Sequence, residues 1–142
     1  MGFSINYRST RPASRAEADA IRNAASAANK GRTWLSCEPV HFILDDGGHL
    51  LGGSKPNFQP HADDVASARS EGLPDGTARD MLDVLCKLSL DHDIEWEISH
   101  DHSGGPIGYV RDGICDEQVR DQVEAFADLD DILGELGAEG IG

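Results

Sequence analysis

Two histidines one residue apart, His100 and His102, close a run of strand-like alternation: Ile94-Glu95-Trp96-Glu97-Ile98-Ser99-His100-Asp101-His102. Strand side chains alternate faces with a period of two. Both imidazoles therefore project with Ile94, Trp96 and Ile98, while Glu95, Glu97, Ser99 and Asp101 project from the other face. Imidazoles aimed the same way from a strand end can begin a zinc site, and a bound zinc activates water for hydrolysis. Asp91 and His92 are the nearest candidates for a third ligand, with His61 and His41 further off. The turn Ser103-Gly104-Gly105-Pro106 follows at once, and Gly104 and Gly105 would let the backbone approach a ligand closely. The flanks lack the downstream Asp-His, the nearby Glu or the third alternating His that complete well-known strand-borne sites of this kind.

Three other stretches bear on chemistry. Cys115 stands just before a helix start, where the helix dipole would lower a thiol pKa, although Asp116 beside it opposes thiolate formation. Cys37 and Cys86 lie among leucines and read as small core residues. The three cysteines are far apart and include no Cys-x-x-Cys, which argues against a disulfide framework and a zinc ribbon alike. Residues 48–55 end Gly-Ser-Lys where a phosphate-binding loop requires Gly-Lys-Ser/Thr, and Pro56 follows where a helix would have to begin.

The elements that must hold these residues can be traced along the chain. Phe3, Ile5 and Tyr7 alternate with Ser4, Asn6 and Arg8 as a strand. Ser14 and Glu17 are spaced as a capping box for a helix with an alanine-rich face (Ala18, Ile21, Ala25, Ala28). Residues 33–44 are strand-like but interrupted by Pro39, which implies an edge or a bulge. Asp46-Gly47-Gly48 marks a hairpin. A loop over 52–61 and a short helix over 62–70 follow. Thr77 caps the next helix, with Met81, Leu82, Val84, Leu85 and Leu88 as its core stripe. Strands over 94–100 and 107–111 come next, and Asp116 caps a final helix buried through Val119, Val123, Phe126, Leu129 and Leu133. Phe3, Ile5, Tyr7, Leu85, Trp96, Ile98 and Phe126 should share one core.

The resulting order, β-α-β-β-α-β-β-α, predicts one α+β domain over 1–135 and a flexible tail over 136–142. Its first six elements match the split βαβ, or ferredoxin-like, layout. That layout gives a single antiparallel sheet of order 2-3-1-4-5 with all helices on one face, here with an extra strand and a C-terminal helix. Arg8 would then meet Glu95 across the polar face.

The net charge of −14 is uneven. Residues 1–32 carry +4 and the remainder −18. Phosphate backbones and anionic membranes demand Lys/Arg patches, so neither nucleic acid nor membrane is an expected partner. No apolar run approaches the length of a bilayer span, and the first residues have no signal layout, which predicts a cytoplasmic chain. Nine arginines against three lysines suggest a bacterial source. With no complete catalytic constellation, the sequence favours a non-enzymatic protein-binding or regulatory domain that uses its acidic surface or open sheet face and needs no cofactor. A homodimer through that face is a variant of this reading. The alternative is a small zinc-dependent hydrolase centred on His100 and His102.

Overall fold

The computed structural model describes residues 4–34, 37–55, 72–101 and 103–125. Phe3, His61, His102, Phe126, Leu129, Leu133, the helix expected over 62–70 and the tail over 136–142 lie outside the described residues. Six strands form one antiparallel sheet: β1 (Ile5–Ser9), β2 (Ile43–Leu44), β3 (Leu50–Ser54), β4 (Trp96–His100), β5 (Gly108–Arg111) and β6 (Ile114–Cys115). Their order is β2-β3-β1-β4-β5-β6. The expected order 2-3-1-4-5 is compatible with these neighbours, and β6 is added beyond β5. Among the described residues, three helices accompany the sheet: α1 (Arg15–Asn29), α2 (Ala78–His92) and α3 over 117–125.

The period-two pattern decides which face is covered. Ile5, Tyr7 and Ser9, Leu50 and Ser54, Trp96 and Ile98, and Val110 are all buried. The apolar ones join Ala18, Ile21 and Ala25 of α1, Met81, Leu82, Leu85 and Leu88 of α2, and Val119 and Val123 of α3 in one core. The alternate residues Asn6, Arg8, Glu97, Ser99, Tyr109 and Arg111 keep contact with solvent. Cys37 is buried as expected, and burial pushes its thiol up to about 12.

Each helix end has a chemical cause. Thr77 and Asp80 form a full reciprocal capping box at the start of α2. At α1 only half of the expected box forms. The Ser14 hydroxyl accepts from the Glu17 N–H at 3.1 Å, but the Glu17 carboxylate is held by Arg11 through two bonds of 2.8 and 2.9 Å. The same guanidinium donates to the carbonyls of His92 and Asp93, which closes the C-terminal end of α2. Charge-assisted, two-pronged binding outcompetes a single main-chain N–H for the carboxylate.

Of the strand expected over 33–44, the described residues are regular only at Ile43–Leu44. Pro39 cannot donate to a ladder, so the backbone on either side of Val40 finds other partners. A buried chain of hydrogen bonds supplies them. The His41 N–H donates to the Tyr7 hydroxyl at 3.2 Å, Tyr7 and Ser54 share a bond of 2.9 Å, and the Ser54 hydroxyl donates to the Pro39 carbonyl at 3.1 Å. Because Ser54 gives its proton to Pro39, Tyr7 donates to Ser54. Gly52 makes room for this arrangement: a Cβ there would run into the Tyr7 ring and the His41 carbonyl.

The expected hairpin forms at Asp45–His49, where one Asp45 carboxylate oxygen accepts from the Gly47 and His49 N–H groups at 2.9 and 2.8 Å. The unexpected hairpin joins β5 to β6 through Asp112-Gly113, both with positive φ (53° and 79°). Asp-Gly is the strongest two-residue turn signal, so this strand pair was readable in the sequence.

Candidate functional site

His100 sits at the far end of β4, opposite Ile5 in register, and is half-buried on the side of Trp96 and Ile98. The turn after it is tied tightly. The Ser103 hydroxyl lies 3.0 Å from the His100 carbonyl and 2.5 Å from that of Gly105, and the Ser103 N–H donates to the same His100 carbonyl. Asp101 points the other way and holds the start of β1, accepting from the Ser4 N–H at 3.0 Å and the Asn6 amide at 3.1 Å. A Cβ on Gly104 or Gly105 would meet nothing within 4 Å, so both glycines border open space.

The other metal candidates lie elsewhere. Asp91 and His92 end α2, before β4 begins at Trp96, and His100 stands at the opposite end of that five-residue strand, about 13 Å of strand rise from Trp96. Asp91 pairs with Lys87 at 3.1 Å. His41 is on the β2 side of the sheet. Among the described residues, no group of three or more His, Cys, Asp or Glu is placed to hold a metal ion. Cys115 does not reach His100 either: it shares a row with Val110 and Trp96, four residues from the strand end. Its expected acidification is reversed. Burial outweighs the helix dipole and pushes the thiol up to about 11.

The open sheet face brings together residues that single strands do not reveal. Ile43 is in register with Leu51, Leu51 with Arg8, Arg8 with Glu97, and Glu97 with Tyr109. These five side chains form one row across β2, β3, β1, β4 and β5. Arg8 is thus opposite Glu97 and not Glu95, because β1 and β4 pair two residues out of the expected register; it also lies 3.8 Å from Asp45. Glu95 instead binds Arg111 at 3.1 Å, and the Arg111 guanidinium lies 5.3 Å from the centre of the Tyr109 ring. Ile43 at one end is 61% exposed.

One shallow recess takes in the Ile43–Leu51 end of the row, and a second lies where Glu95 and Arg111 meet. The first, of about 230 Å³, is lined by His41, Ile43, Leu51, Gly52 and Gly53. The second, of about 390 Å³, is lined by Thr10, Arg11, Asp93, Ile94, Glu95, Arg111 and Asp112. The face therefore offers apolar contact at the β2 end, an Arg–Tyr–Glu cluster at the β5 end, and alternating charge between. Such a surface can bind by shape and charge.

The row was hidden because register across strands cannot be read from one strand at a time. The signal that existed was the shared polar phase of Asn6/Arg8, Glu95/Glu97 and Tyr109/Arg111. In comparisons with protein-family models, curated proteins and solved structures, none matches this chain. Among the described residues, no helix is long and apolar enough to cross a membrane.

Proposed function

We propose that this chain is a non-enzymatic protein-binding domain of ferredoxin-like split βαβ layout, extended by β5, β6 and α3, whose open sheet face receives a basic protein segment. The carrying observation is the row Ile43–Leu51–Arg8–Glu97–Tyr109, left uncovered by the helices described while they fill the opposite face. An apolar patch at one end of a row and an aromatic–arginine cluster at the other supply the residue types that make contact energy at interfaces. The charge of −14 draws a basic partner toward the domain from a distance and turns phosphate polymers away. Zinc or another resident metal has no part in this reading.

A photo-crosslinking residue placed at Arg8 or Tyr109, with Asp19 on α1 as the control position, tests it in the source cell. The reading requires a basic protein captured from the first two positions and not the third, with capture from Arg8 abolished by Tyr109→Ala. Equal capture from Asp19 refutes it. Capture of a second copy of the chain replaces it with self-association through the same face. A stoichiometric metal in elemental analysis of the purified protein, lost in His100→Ala/His102→Ala, replaces it with the metal-dependent hydrolase.

A further inference from the structure

A ladder of contacts fixes how the end of the sheet lies along α2. The Gly113 N–H donates to the Ser89 hydroxyl at 2.9 Å, and Leu90 borders Gly113. Arg120 reaches Asp83 at 3.4 Å, and Arg79 reaches Glu124 at 3.0 Å. Residues 113 to 124 thus run antiparallel to α2, from Ser89 back to Arg79. Cys86 lies three residues before Ser89, about 4.5 Å along the helix. Cys115 lies two residues after Gly113, about 6.6 Å along the strand. The ladder therefore sets Cys115 beside Cys86.

Local contacts agree with that placement. The Cys115 main-chain N–H faces the Cys86 sulfur, which the Arg120 guanidinium approaches to 4.0 Å. The Cys115 sulfur lies 3.5 Å from the Asp116 carbonyl and faces the Arg120 main-chain N–H. Both cysteines are partly exposed, whereas Cys37 is fully buried.

We infer that Cys86 and Cys115 form a modifiable dithiol that a low-molecular-weight disulfide closes into a bond stapling α2 to β6. One cysteine, as thiolate, attacks a sulfur of the small disulfide RSSR. A protein–SR bond forms, and RS⁻ leaves and takes up the proton the cysteine gave up. The second cysteine thiolate attacks the protein sulfur of that mixed disulfide, forms the Cys86–Cys115 bond and releases the second RSH. The two cysteines lose two electrons and RSSR gains them as two RSH. The charged groups facing the pair are Asp83 on α2 and Asp116 and Arg120 at the head of α3. Burial raises both thiols, with Arg120 opposing it, so closure is slow at neutral pH and accelerates as pH rises from 7 to 9.

The test uses the full chain with oxidised glutathione. Of the three thiols titratable in denaturant, one should remain, and peptide mapping should link 86 to 115 with no glutathione retained. Cys86→Ser and Cys115→Ser should each retain a glutathionyl adduct on the other cysteine. In the oxidised wild type, amide exchange at Ile114 and Cys115 should slow at least tenfold. A persistent glutathionyl adduct in the wild type, a linkage through Cys37, or no loss of thiol at pH 9 overturns the proposal.

Discussion

Phe42 lies flat on the Trp96 indole, with ring centroids 4.8 Å apart and planes 13° from parallel, although Phe42 precedes the first regular residue of β2 and Trp96 begins β4. β3 and β1 lie between β2, which Phe42 precedes, and β4, and the Tyr7 ring of β1 meets Phe42 edge-on at 5.4 Å. A segment without its own ladder is thus anchored by an aromatic side chain that crosses half the sheet.

Trp96→Ala should cost about 3–5 kcal/mol as a cavity in a fully buried site, and Phe42→Ala a similar amount. Phe42→Leu keeps most of the apolar area and should lose the aromatic contact, about 1–2 kcal/mol. Denaturant titration measures all three. A loss below about 1 kcal/mol for Trp96→Ala would mean that β4 presents its other face to the core.

Tyr7 sets an alkaline limit on stability. Burial, opposed by its hydrogen bonds to Ser54 and His41, pushes its phenol up to about 12 from an ordinary value of 10.0. The raised pKa means that its contribution is complete below pH 10 and is lost as pH rises through 12, by about 2–3 kcal/mol. Ultraviolet titration of Tyr109→Phe, where Tyr7 is the one phenol left, should show ionisation together with unfolding. Ionisation near pH 10 with the fold intact would contradict it. Tyr7→Phe should cost about 1–3 kcal/mol by leaving the His41 N–H and Ser54 hydroxyl short of a partner.

Arg11 and Glu17 set the acid side. The hydrogen bonds from Arg11 hold the Glu17 carboxyl below its ordinary value, so this pair stabilises the fold above the usual glutamate range and is lost as pH falls through the lowered value. Arg11→Ala should move the acid-unfolding midpoint, followed by circular dichroism, to higher pH. At neutral pH it should cost about 1–2 kcal/mol, part of it from the uncapped end of α2.

Gly52→Ala should destabilise the protein by about 1–3 kcal/mol through collision with the Tyr7 ring and the His41 carbonyl. Gly104→Ala meets open space but carries a φ of 68°, so its smaller cost, about 1 kcal/mol, comes from backbone strain alone. Thermal melts of the two variants separate crowding from strain.

Much of the fold was legible because period-two alternation at Ile5/Tyr7 and Trp96/Ile98, and period-3.6 stripes in α1 and α2, are local signals of a single buried face. The candidate surface was less so. The sequence points Arg8 at Glu95 and the structure at Glu97, because its neighbour depends on the registers of two strands at once, and a slip of two residues keeps every side chain on its proper face. The Cys115 thiol differs from expectation for a related reason: the helix dipole is visible in a sequence, whereas desolvation arises only when α2 packs against β6. The His100–Asp101 turn was found from its glycines, yet the hold of Asp101 on Ser4 and Asn6 joins residues 95 or more apart in the chain.

Among the described residues, the sheet ends on both sides in strands of two residues, β2 and β6. A growing fibril needs a long, flat margin of unpaired N–H and C=O groups on which the next strand can be laid. Here that margin is a stub at each end, one preceded by Pro39 and the other folded back through the tight Asp112-Gly113 turn. Together with mutual repulsion between chains of charge −14, this gives the protein little tendency to grow sideways into amyloid, even though Ile43 and Ile114 stand exposed at its two borders.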